Sequence, residues 1–178
     1  ERLHIEGPFE IVHISCHGDI ADRGPILAFE SPEGSLVPIT PADFSRILGE
    51  QLPLLVFLSA CMTAAGNDTD SAIIAPFVRE LIRAGVPSVL GWDGSVYDSD
   101  ATFFAEIFYG ELALHSSAPY AAARARQALL NKHLEDPKSG RHWHLARVYA
   151  GPQGAGACCV KNGKKRRQPK EPEYLDPI

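Results

Sequence analysis

Leu54-Leu55-Val56-Phe57-Leu58 runs directly into Ser59-Ala60-Cys61. Five apolar residues with no polar alternation describe a strand buried on both faces, as in a parallel sheet covered by helices. Upstream, FEIVHIS (residues 9–15) is a second such segment, ending in Cys16-His17-Gly18-Asp19, which reads as a polar turn. Downstream, residues 71–84 carry Ile74, Phe77, Val78, Leu81 and Ile82 at helical spacing, and Gly85 stops that helix. A third buried strand follows at 87–91. Helices at 98–114 and 120–134 come next, then a last strand at 143–150 closed by Gly151-Pro152. Between the first two buried strands, residues 25–29 and 35–39 form a hairpin through Pro32-Glu33-Gly34, and Thr40-Pro41 starts a short helix. Strands alternating with helices predict an α/β sandwich with a largely parallel central sheet and helices on both faces. An α/β domain of this kind carries an earlier strand and helix, so the chain reads as the C-terminal part of a longer polypeptide. The division expected is a folded domain over 1–155 and a basic, proline-containing tail or linker over 156–178.

Composition narrows the function classes. The 178 residues are 45% hydrophobic and 22% charged, enough to bury a core. The longest apolar run, residues 52–60, is too short to cross a bilayer, and no secretory leader is recognisable. Cys16, Cys61, Cys158 and Cys159 are too few and too unevenly spaced for a disulfide framework, which suggests reduced thiols and a cytoplasmic setting. Residues 1–160 hold 11 basic and 19 acidic side chains, a balance of −8, whereas residues 161–170 carry +6 with no acid. The acidic body repels phosphate backbones and attracts basic polypeptide. The basic stretch reads as a solvated tail, with contact to nucleic acid or a partner as the alternative.

In an open α/β sheet, reactive groups gather at the C-terminal ends of strands. Here two such ends present His17 and Cys61, 44 residues apart. A thiol attacks as its thiolate, and a nearby imidazole can generate it. Attack on a peptide carbonyl builds an oxyanion that needs backbone N–H donors. Gly18, lacking a Cβ, can bring its N–H close to a substrate, and the N–H of Cys61 can be the second donor. These are the parts of a cysteine peptidase. The residue types alone also fit packing: Cys16 reads as a packed thiol and His13 as a hydrogen-bonded core histidine. His142 and His144 share one face at i, i+2 without an evident third metal ligand. Cys158-Cys159 reads as a pair of flexible thiols.

The ordered set of motifs resembles the CHAT family, caspase-like domains related to separase and the caspases. The resemblance rests on IVHISCHG (11–18), FLSAC (57–61) with Thr63 and Gly66, AGVPSVLGWDGSVYD (84–98), Phe108-Tyr109, AAARARQALL (121–130) and HWHLARVYAG (142–151). It implies a caspase-like three-layer sandwich and peptide-bond hydrolysis, with His17 as general base and acid and Cys61 as nucleophile. The family's Trp-Pro-Val-x-Asp loop is replaced here by residues 92–98, with one apparent extra residue. That loop helps form the pocket for the residue before the scissile bond, which makes Trp92, Asp93 and Asp98 expected substrate-binding residues; Ser59, neutral, joins them at the position two before the nucleophile where some basic-specific relatives place an acid. A basic preference would draw on Asp98, Asp93 or Asp100; an apolar pocket lined by Trp92 and Tyr97 is the other possibility, and Asp98 is equally a candidate helix N-cap. The resemblance also implies control by a sensor: tetratricopeptide helices, a nucleotide-sensing domain or an RNA-guided (CRISPR) effector in bacterial antiviral defence. The competing reading is a scaffold that keeps the motif but acts by changing shape.

Overall fold

The FLSAC strand forms because its residues have helices to bury against on either side. The computed structural model describes residues 9–49, 52–62, 71–152, 154, 156 and 158, with the backbone alone at 61, 62 and 71–73. In chain order the elements are β1 (Ile11–Ala21), β2 (Gly24–Glu30), β3 (Leu36–Ile39), α1 (Pro41–Leu48), β4 (Leu55–Met62) and α2 (Ser71–Arg83), followed by β5 (Ser88–Trp92), α3 (Asp98–Ala113), α4 (Ala118–Glu135) and β6 (Ala146–Ala150). They build one six-stranded sheet in the order β3-β2-β1-β4-β5-β6. The expected parallel arrangement holds for the three central strands, β1, β4 and β5. The outer strands β2, β3 and β6 pair antiparallel.

Alternate residues of β4 enter opposite cores, as the period of two requires. Leu55 and Phe57 join Trp92, Phe104, Phe108 and Leu112 beneath α3 and α4. Val56, Leu58 and Ala60 join Phe44, Phe77, Val78 and Leu81 beneath α1 and α2. Residues 55–58 are at most 1% exposed, and burying each such side chain is worth about 1.5–3 kcal/mol. The two helical layers and the sheet make the three-layer α/β sandwich the sequence predicts.

Local signals behave as their chemistry dictates. Thr40 caps α1 by accepting from the Asp43 N–H, and the Asp43 carboxylate accepts from the Thr40 N–H, a reciprocal capping box. Gly85, at φ +101°, ends α2 in a conformation an L-residue avoids. At Gly91 an added Cβ would lie 2.8 Å from the Ile74 side chain, so β5 needs glycine there to pass beneath α2.

Several boundaries depart from the sequence reading. Cys16-His17-Gly18-Asp19 is not a turn: β1 continues to Ala21, because β2 folds back antiparallel and pairs His17 with Ala28 through Ala21 with Gly24. The last strand begins at Ala146 rather than 143, and Trp143 sits in the preceding turn. His13 is not a core residue; it is exposed on one side and stacks on Phe57 with the other, ring centroids 4.2 Å apart. Cys158 is buried at 3% exposure in the α3–α4 core instead of lying loose. Thr63, Gly66, Cys159 and the basic run 161–170 lie outside the described residues.

Candidate active site

Parallel pairing of β1 with β4 sets the register His13↔Phe57, Ser15↔Ser59 and His17↔Cys61. Neighbouring strands lie about 4.8 Å apart, so the backbones of His17 and Cys61 are direct neighbours near the C-terminal end of the parallel ladder. His13 stacks on Phe57, which fixes its strand face as the α3 side. By the period of two, His17 takes that same face, where it is exposed. Gly18 is buried in the sheet with Leu27 and Met62 as its Cα partners.

Cys16 faces the opposite way, against the α1–α2 core. Burial pushes its thiol up to about 11. At neutral pH it is a protonated, weakly nucleophilic sulfur, so proximity to His17 in sequence does not make it the nucleophile.

The residues expected around the substrate divide into three groups. Trp92 is 1% exposed and wedged edge-on against Phe104, ring centroids 5.0 Å apart. It offers no ring surface to a ligand, which removes it as the lining of an apolar pocket. Its indole N–H instead donates to the Ser59 hydroxyl at 3.3 Å, two residues before Cys61. Asp93 accepts from Arg147 Nε at 3.4 Å and stays partly open to solvent. Asp98 is exposed as the first residue of α3; the N-cap is Tyr97, with no side-chain cap bond, so Asp98 does not cap the helix. Tyr97 itself is 55% exposed, in the loop that leaves the C-terminal end of β5.

Asp100, one of the three alternatives for a pocket charge, is only 2% exposed and is engaged elsewhere. Its carboxylate accepts from the N–H of Gly140 at 3.0 Å and of His142 at 3.3 Å, and meets His142 Nδ1 at 2.9 Å. No sequence signal distinguishes it from Asp98, because its partners lie some 40 residues away. His142 is thereby engaged with a carboxylate, and His144 is exposed. Among the described residues no group of three His, Cys, Asp or Glu side chains could hold a metal ion.

A mixed sheet with parallel central strands and helices on both faces, with His17 and Cys61 in register on two of those strands, is compatible with a caspase-like sandwich. A family model of the CHAT domain matches residues 1–168. The chain belongs to the CHAT-domain family, a caspase-like peptidase family. No curated protein matches it. Among the described residues no helix is long and apolar enough to cross a membrane.

Proposed function

We propose that the chain is a cysteine endopeptidase acting through a His17–Cys61 dyad. The observation that carries this reading is the register of His17 with Cys61 on adjacent parallel strands; membership of a caspase-like family supports the reaction class. In this reaction His17 takes the Cys61 proton, and the thiolate attacks the carbonyl carbon of the scissile bond. The oxyanion is held by the backbone N–H groups of Gly18 and Cys61. The tetrahedral intermediate expels the amine, which receives the proton back from imidazolium, leaving an acyl-enzyme. Water, deprotonated by His17, then hydrolyses the thioester and restores the thiol. Ser59, Asp93 and Asp98 with Tyr97 border the site for the residue before the scissile bond. A regulatory domain or partner complex gates the activity in bacterial defence, a setting that rests on the family likeness alone.

Replacing Cys61 by Ala should lower cleavage of the natural protein substrate by a thousandfold or more, on the order of the losses seen when a nucleophile is removed. Circular dichroism and the unfolding midpoint should stay near those of the parent. Cleavage that persists in the Cys61→Ala chain overturns the peptidase reading, and unchanged cellular function of that variant would favour the scaffold instead.

A further inference from the structure

We infer that Asp100 is the positioning residue of the substrate-selecting wall, acting through His142 on the rim that Tyr97 presents. The inference rests on the peptidase reading above. Two loops meet at the site end of the sheet: residues 93–97 after β5, and residues 136–145 between α4 and β6. They are joined by backbone as well as side chain. The Asp93 N–H donates to the Leu145 carbonyl at 2.9 Å, and Arg147 pairs with Asp93 from the start of β6. The buried Asp100 carboxylate sits beneath this junction and gathers two backbone N–H groups and one imidazole nitrogen of the second loop. A carboxylate withdrawn from water is tolerable only with such donors, so the second loop is held where the donors must be.

The consequence reaches the rim through one side chain. The His142 ring, held by Asp100, lies edge-to-face with Tyr97 at 4.6 Å between centroids. Tyr97 is the exposed aromatic of the first loop, adjacent to Asp98. The second loop has little freedom to compensate. Gly140 has φ +62°, and an added Cβ there would run into the Leu129 carbonyl of α4 and lie 3.0 Å from the His133 nitrogen. The His133 ring is in turn tied to the Ser139 carbonyl at 3.0 Å. Loop 136–145 is therefore pinned by α4 on one side and by Asp100 on the other, and the orientation of Tyr97 depends on both. Asp100 touches no reacting atom in this arrangement; it sets the surface that a substrate residue meets.

The test compares Asp100→Asn and His142→Ala with the parent in the full chain, using a peptide library that varies the residue before the scissile bond. Alkylation of Cys61 by iodoacetamide serves as a readout of the dyad that does not use the wall. Asp100→Asn keeps the side-chain volume but sets an amide NH2, a donor, against the N–H of Gly140 or against His142. Both variants should react with iodoacetamide within about twofold of the parent, yet lose about tenfold or more in kcat/KM, mainly through KM, with a flattened preference among peptides. The double variant should be no worse than the poorer single variant, as expected of residues that act as one unit. Should Asp100→Asn fail to fold, His142→Ala alone carries the same comparison, since it leaves the Gly140 contact intact. An unchanged cleavage profile in His142→Ala, or a parallel fall in alkylation and cleavage, overturns the positioning role. Parent protein that alkylates but cleaves no peptide overturns the peptidase reading itself, and the selecting wall with it.

Discussion

His13 and Cys16 show how a strand divides neighbouring residues between two chemistries. They lie three positions apart on β1, one against Phe57 on the α3 side and the other against the α1–α2 core. Burial penalises the charged form of each: it holds the His13 pKa below the ordinary 6.5 and lifts that of Cys16. For His13 the unfolded chain binds its proton more readily than the folded one as pH falls through 6.5. The stability contributed by the neutral stacked ring is thus present above that value and lost below it. His13→Phe keeps an aromatic ring on Phe57 and removes the titration. Urea midpoints measured at pH 7.5 and pH 5 should fall further in the parent than in this variant; an equal fall would show that the stack carries no proton linkage. Cys16 acts at the other end of the scale, where stability declines as pH rises past 9 toward 11, because only the unfolded thiol ionises there.

At the scale of elements, the ends of helices decide more than their middles. α3 closes with the Ser116 N–H on the Glu111 carbonyl at 3.2 Å and the His115 N–H on the Leu112 carbonyl at 2.9 Å. This is the Schellman arrangement, whose left-handed position is usually glycine. Here it is His115 at φ 65°. His115→Gly relieves the strain of a Cβ in that conformation while giving up whatever the side chain itself contributes. A net gain of about 0.5–1 kcal/mol should appear in the unfolding free energy; a loss would mean that the side chain's contribution outweighs the strain. Helix ends also mark how far the sequence could be read. The buried strands, the Thr40 cap and the glycine stop at 85 were legible because each signal is local, in apolar runs or in residue types fixed by backbone geometry. The pairing of His17 with Cys61 followed from strand order. The extension of β1 through His17 was not legible, since polar exposed residues signal a turn until a partner strand satisfies their backbone. Trp92 could not be assigned to pocket or core from its type, and Asp100 could not be told from Asp98. Both distinctions depend on contacts made across the fold: Trp92 with Phe57, Ser59 and Phe104, and Asp100 with the turn between α4 and β6.

Over the whole molecule the charge is arranged in opposition: −8 over residues 1–160, then +6 over residues 161–170, then −3 from Glu171, Glu173 and Asp176. A body of that sign concentrates cationic polypeptide near its surface and disfavours phosphate. Any attraction of this chain for nucleic acid must therefore come from the basic run. Six Lys and Arg side chains neutralising phosphates of a single strand release its counterions and give a dependence of log K on log salt no steeper than about −4. Comparing the full chain with one ended after Val160, by titration of a single-stranded oligonucleotide at 50 and 200 mM salt, separates the contributions. If residues 161–170 are a solvated tail, neither chain binds; binding at low salt by the full chain, weakening on that slope and vanishing in the shortened chain, would instead give the tail a nucleic-acid contact. Equal binding by both chains would place the anion site on the folded body, against its own net charge. Binding that ignores salt would rule out the charge of residues 161–170 as its source. Peptide cleavage should survive the truncation in either case, because the strands that pair His17 with Cys61 end well before residue 161.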